Sequence, residues 1–101
     1  MSLQARRSQS IPDWFVIERL SVEGAPERLT DAAVEGSWED MAALAEAVER
    51  GGRFIGRRCA VVVHGDQVIM WSPRNSETPT YVPLEDALAL ARQLRAMGAL
   101  R

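Results

Sequence analysis

Residues 57–75 read RRCAVVVHGDQVIMWSPRN, two apolar runs hinged on Gly65-Asp66. A two-residue connection of this kind joins the strands of a β-hairpin. Pairing outward from it sets His64 against Gln67, Val63 against Val68, Val62 against Ile69, Val61 against Met70, Ala60 against Trp71 and Cys59 against Ser72. Successive pairs point to opposite sides of the ladder. One side gathers Cys59, Val61, Val63, Val68 and Met70; the other gathers Ala60, Val62, Ile69 and Trp71, fringed by Arg58, His64 and Gln67. A hairpin with one wet face would alternate apolar and polar positions. Here both faces are apolar.

The rest of the pattern supplies partners for one of them. Residues 13–23 alternate as a strand whose apolar face carries Trp14, Val16, Leu20 and Val22. EGAPE turns the chain, and residues 29–36, with features of both a strand and a helical turn, read as a strand returning beside the first. Ser37 and Asp40 have the spacing of a capping box. Behind them Trp38, Met41, Leu44, Ala45 and Val48 form a helical stripe that Gly51-Gly52 terminates. SPRNSETPTYVP has the Ser, Asn and Pro content of a loop. A last helix begins with Pro83 near its first position and buries Leu84, Ala87, Leu88, Leu90, Ala91, Leu94 and Met97. Glu85 and Asp86 at its start, and Arg92 and Arg95 towards its end, complement the helix dipole, and Gly98 closes it.

The first ten residues are polar and read as a flexible segment ahead of one domain, residues 11–101, and no internal repeat is evident. The predicted fold is α+β: a two-layer sandwich of a mostly antiparallel sheet of three or four strands with two helices on one face, in the order β-(β)-α-β-β-α.

Magnitudes then decide what the second face requires. Burying a Val, Ile or Trp side chain is worth about 1.5–3 kcal/mol, so three left in water forfeit roughly 5–8 kcal/mol. A small domain has only about 5–15 kcal/mol in total. Two helices lying about 10 Å apart roof one face of such a sheet and no more. The Cys59, Val61, Val63 and Met70 side, lacking a polar fringe, goes to the helices. The Trp71 side, with an aromatic centre and a polar rim, is expected to meet a second copy, another protein or the chain's own first residues with Trp14 and Phe15. Its predicted centre is Trp71, Ile69 and Val62, with Ala60, Gln67 and His64 around them.

Composition narrows the rest. The chain has 101 residues, 47% hydrophobic, with a net charge of −2, so it is not a globally basic nucleic-acid-coating protein. No apolar window is long enough to span a bilayer, and MSLQARRSQS lacks the apolar core of a secretory signal. One cysteine forms no internal disulfide, which fits a reducing cytoplasm. All 12 basic residues are arginine, the side chain suited to planar, bidentate anion contacts.

Candidate chemistry is thin. Cys59 and His64 stand five residues apart on one strand, some 16 Å by strand rise, so they cannot form a nucleophile–base pair, and Cys59 reads as core. Ser72 lies at the opposite end of the hairpin from His64 and Asp66, which excludes a triad. Glu39-Asp40 and Glu85-Asp86 occupy first turns of helices, where the dipole accounts for them. Neither a metal-ligand spacing nor a phosphate-cradling or cofactor motif is present. Arg53, Arg57, Arg58 and Arg74 do gather at the open end of the hairpin, and continued pairing would oppose Arg57 to Arg74. Like charges so placed are unfavourable, so either the strands splay or an anion bridges them: a phosphate, a ligand carboxylate, or a side chain such as Glu77. The leading expectation is a non-catalytic interaction module that self-associates as a homodimer or binds another protein. Small-anion or nucleic-acid binding through these arginines is the alternative, with nucleic acid disfavoured by the acidic balance.

Overall fold

Leu3 and Ala5 alternate with Gln4 and Arg6, and this short alternation makes Ser2–Arg7 a strand, β1, where the sequence suggested a loose tail. The computed structural model describes residues 2–20, 34–74 and 79–100. β1 pairs antiparallel with β2 (Trp14–Leu20), which pairs antiparallel with β3 (Val34–Ser37) in a first sheet. Helix α1 (Trp38–Arg50) follows directly. A second, four-stranded sheet then runs in chain order through β4 (Arg53–Ile55), β5 (Ala60–His64), β6 (Gln67–Trp71) and β7 (Thr80–Pro83), and helix α2 (Leu84–Ala99) ends the described chain. All the pairings are antiparallel and the fold is α+β. The helices serve two sheets rather than one.

Several local expectations shift. β2 turns the other way from its predicted face: Phe15 and Ile17 are fully buried in the core, while Trp14 and Val16 lie on the opposite side of the sheet, where Val16 is also buried and Trp14 partly so. Residues 14–17 are apolar at both parities, so alternation alone does not choose; the register against β1 and β3 does. The expected returning strand is present from Val34, and residues 29–33 lie outside those described. β4 and β7 are additions, the latter inside the stretch read as loop.

The helix termini follow local chemistry. Ser37 caps α1: its hydroxyl accepts from the Asp40 amide, and its own amide donates to Asp40 Oδ2 at 3.2 Å. Gly36 leaves room for that carboxylate, since a Cβ there would sit 2.6 Å from Oδ2. Gly51 ends α1 at φ 70°, and Gly52 N–H returns to the Ala47 carbonyl at 2.8 Å. α2 begins differently. Pro83 is its cap residue, not its first helical position, and has no side chain to cap with; instead Leu84 N–H donates to the Asp66 carbonyl in the hairpin turn. Nor does Gly98 close α2. It lies within the last turn because any Cβ would overlap the Trp38 indole, which packs edge-on against Phe15 at 5.5 Å.

A repeat that the sequence reading missed organises the whole. WEDMAALAEAV in α1 and LEDALALARQL in α2 stand 46 positions apart and share Glu, Asp, Ala, Leu and Ala at matching places. β3 and β7 start with the same separation, and each half is a three-stranded antiparallel meander running into a helix, with β4 as an extra strand in the second. Contacts repeat too: α1 packs on β5 and against β3 and β2, while α2 packs on β1 and against β7 and β6. The helices lie against each other, and Glu49 of α1 holds Arg95 of α2, with Nη2 to Oε1 at 2.6 Å. These two residues occupy equivalent places in the repeat, so their contact marks its pseudo-twofold axis.

The halves differ where the extra strand matters. β4 covers one edge of β5. The matching edge of β1 is covered by a side chain: Gln93 accepts from Ala5 N–H and donates to the Leu3 carbonyl, both at 3.1 Å. At the equivalent place α1 carries Ala47.

Two outcomes follow. Gly98→Ala, which in an ordinary helix gains about 0.5–1 kcal/mol, lowers stability here by roughly 1–3 kcal/mol in urea denaturation; a gain would show that Trp38 is free to move. Gln93→Leu accelerates amide exchange at Ala5 while leaving exchange in β5 unchanged.

Candidate interaction surface

The register of the second sheet separates its two sides. Phe54, Val61, Met70 and Thr80 share one rung, and Val63, Val68 and Val82 another, all on the side facing the helices. On the opposite side Arg53, Val62, Ile69 and Tyr81 form one row and Ile55, Ala60 and Trp71 the next. His64 and Gln67 stand exposed beside the Gly65-Asp66 turn, whose Gly65 adopts φ 65°. The hairpin pairing is that expected from the sequence, through Ala60 and Trp71; Cys59 and Ser72 fall beyond the ladder.

This outer side is apolar and open in unequal measure. Val62, Ile69 and Trp71 are half-buried, whereas Ala60, between Ile55 and Trp71, is fully covered. Ile55 and Tyr81 are 60% and 54% exposed. Both were absent from the sequence-based surface because they arrive on β4 and β7. Their signal was brief alternation: Phe54 inward between Arg53 and Ile55, and Tyr81 outward between Thr80 and Val82. Both helices pack on the other side of this sheet.

The arginines do not form the expected facing pair. β5 and β6 end at Ala60 and Trp71, and Arg57 and Arg58 belong to the turn between β4 and β5, closed by Gly56 N–H to the Cys59 carbonyl at 2.9 Å. Arg57 is therefore not opposed to Arg74 in any ladder; the strands separate first. Arg58 lies over the Trp14 ring at 5.3 Å and so ties the second sheet to the first. Arg53, Arg57 and Arg74 are exposed and make no ion pair among the described residues. Glu77 lies outside those residues.

The first sheet has the contrasting outer side. Arg6, Val16 and Glu35 form one row there, and Arg6 reaches diagonally to pair with the buried Glu18.

Cys59 is fully buried among core residues. Desolvation, helped by the nearby negative charge of Asp40, pushes its thiol from 9.0 up to about 12. A thiol held neutral in this way is a packing group, not a nucleophile. His64 is exposed at the other end of the strand. Among the described residues no three His, Cys, Asp or Glu side chains are grouped to hold a metal ion, and no helix is long and apolar enough to cross a membrane. Comparison of the chain with protein-family models, curated proteins and solved structures finds no match.

Thiol reagents therefore label Cys59 at the rate of global unfolding; labelling near the rate of a free thiol would place it at the surface. The sign of the pH effect is fixed. Above pH 9.0 the unfolded thiol ionises and the folded one does not, so unfolding releases a proton and stability falls between pH 9 and about 12. The slope approaches about 1.4 kcal/mol per pH unit, and Cys59→Ala removes that component.

Proposed function

We propose that this chain is a small non-catalytic interaction module that binds protein through the outer side of its second sheet. The observation that carries the reading is the Val62–Ile69–Tyr81 row with Ile55 and Trp71 beside it, an apolar field on the side of the sheet away from both helices. Covering Ile55 and Tyr81 alone would recover on the order of 2–3 kcal/mol, given their present half-exposure. A central aromatic with aliphatic neighbours and a polar rim is the composition of a binding patch. The titratable groups have structural work instead: Glu49 with Arg95, Glu18 with Arg6, Asp40 in a cap, Cys59 in the core. A lone buried thiol accords with a reducing cytoplasmic setting.

Arginine-based anion binding is the weaker reading. Arg58 lies over Trp14, Arg53 stands in the outer row of the sheet, and Arg57 and Arg74 are exposed beyond the strand ends.

The reading requires a surface that folding does not use. Ile55→Glu and Tyr81→Glu should each cost less than about 1 kcal/mol in chemical denaturation, as for ordinary surface positions. A loss of about 3 kcal/mol or more would mean that both side chains belong to the core, and the interface reading would fall.

A further inference from the structure

The repeat supplies an internal comparison for the apolar patch. Through it, the row Arg6–Val16–Glu35 on the first sheet corresponds to Val62–Ile69–Tyr81 on the second, and Glu18 corresponds to Trp71. Positions facing the helices are buried in both halves and, Thr80 apart, apolar: Ala5, Ile17 and Val34 beside Val61, Met70 and Thr80. At three equivalent outward positions the first half carries a charge, Arg6, Glu18 and Glu35, where the second carries Val62, Trp71 and Tyr81; Val16 and Ile69 are apolar in both. One architecture thus carries both kinds of outer row. The greasy one is no requirement of the fold.

The charge around the patch specifies its occupant. Outward positions of the second sheet carry Arg53 and His64 and no carboxylate. Arg57 and Arg74 stand exposed in the turns at the Trp71 end, and the only carboxylate in residues 53–74 is Asp66 at the far turn. A second copy would bring the same excess of arginine against itself. It would also have little to bury: four strands at about 4.8 Å spacing and five residues at about 3.3 Å give a face of roughly 300 Å². A stable protein interface of standard size takes about 800 Å² from each partner. A short segment from another protein brings no arginine of its own, and a weak contact with a segment does not require an interface of standard size. Its apolar side chains meet Ile55, Val62, Ile69, Trp71 and Tyr81, and its carboxylates continue onto Arg53, Arg57 and Arg74, where guanidinium forks hold them.

From this we infer that the outer side of the second sheet docks an acidic, amphipathic segment of a partner protein. The inference rests on the interaction reading above and adds the partner's chemistry.

The test uses the full chain, ¹⁵N-labelled, with three probes: a capped decapeptide alternating Glu and Leu, the same peptide with Lys for Glu, and a thymidine decanucleotide. The expected result is that the Glu peptide shifts the amides of Ile55, Val62, Ile69, Trp71 and Tyr81 with a Kd below about 1 mM. Binding weakens about tenfold in Arg53→Glu/Arg74→Glu and as salt rises from about 0.05 to 0.5 M, and the Lys peptide binds at least tenfold more weakly. Equal binding of the two peptides on the same residues would overturn the acidic preference and leave the patch standing. Binding of the Glu peptide that spares those residues, or no binding by about 1 mM, would sink the inference; in the first case the patch goes with it. Tighter binding of the oligonucleotide would reassign the surface to nucleic acid. A light-scattering mass that doubles with concentration, and returns to monomer in Ile69→Glu, would hand it to a second copy.

Discussion

The contact between α1 and α2 is the constraint on which the other layers depend. Each helix packs mainly on the other half's sheet: α1 grows out of the first sheet and touches β3 and β2, but lies chiefly on β5 and β4, and α2 grows out of the second and touches β7 and β6, but lies chiefly on β1. Each half therefore completes its core with the other's helix. Leu44, Ala45 and Val48 on one side, and Leu90, Ala91 and Leu94 on the other, fall in one cluster with side chains from both sheets. Removing the helix pair would leave two short meanders without cover, and short isolated sheets are marginal in water.

This arrangement changes how the apolar hairpin is understood. With one sheet and two helices, a second greasy face is a deficit of roofing. With two sheets sharing the helix pair, the question becomes why three equivalent outward positions are charged on one sheet and uncharged on the other. Three strands of each sheet pair in the same antiparallel order; the difference lies in the residues at Arg6, Glu18 and Glu35 against Val62, Trp71 and Tyr81.

Legibility in the sequence followed the strength of local punctuation. Gly65-Asp66 pins the hairpin register, so five residue pairs could be written down from the sequence. Ser37, Asp40 and Gly51-Gly52 bracket α1 equally clearly. β2 had no such marker, and its apolar run at both parities let the wrong side be chosen as its core face. β1, β4 and β7 are short, with one or two inward apolar residues each, too few for periodicity to speak. The patch was legible at Trp71, Ile69 and Val62, while Ile55 and Tyr81 required the tertiary ladder to bring them alongside. The repeat was written in the helices, but Trp38 against Leu84, Met41 against Ala87 and a long first-half connection obscured it.

The Glu49–Arg95 clasp has a consequence beyond the strength of one surface ion pair. Because its members occupy equivalent places about the pseudo-axis, two first halves brought together in the same way would set glutamate against glutamate. Two second halves would set arginine against arginine. Only the unlike combination matches the charges at this point, so the clasp is the place where the two halves of the repeat must differ for their helices to meet without like charges opposed.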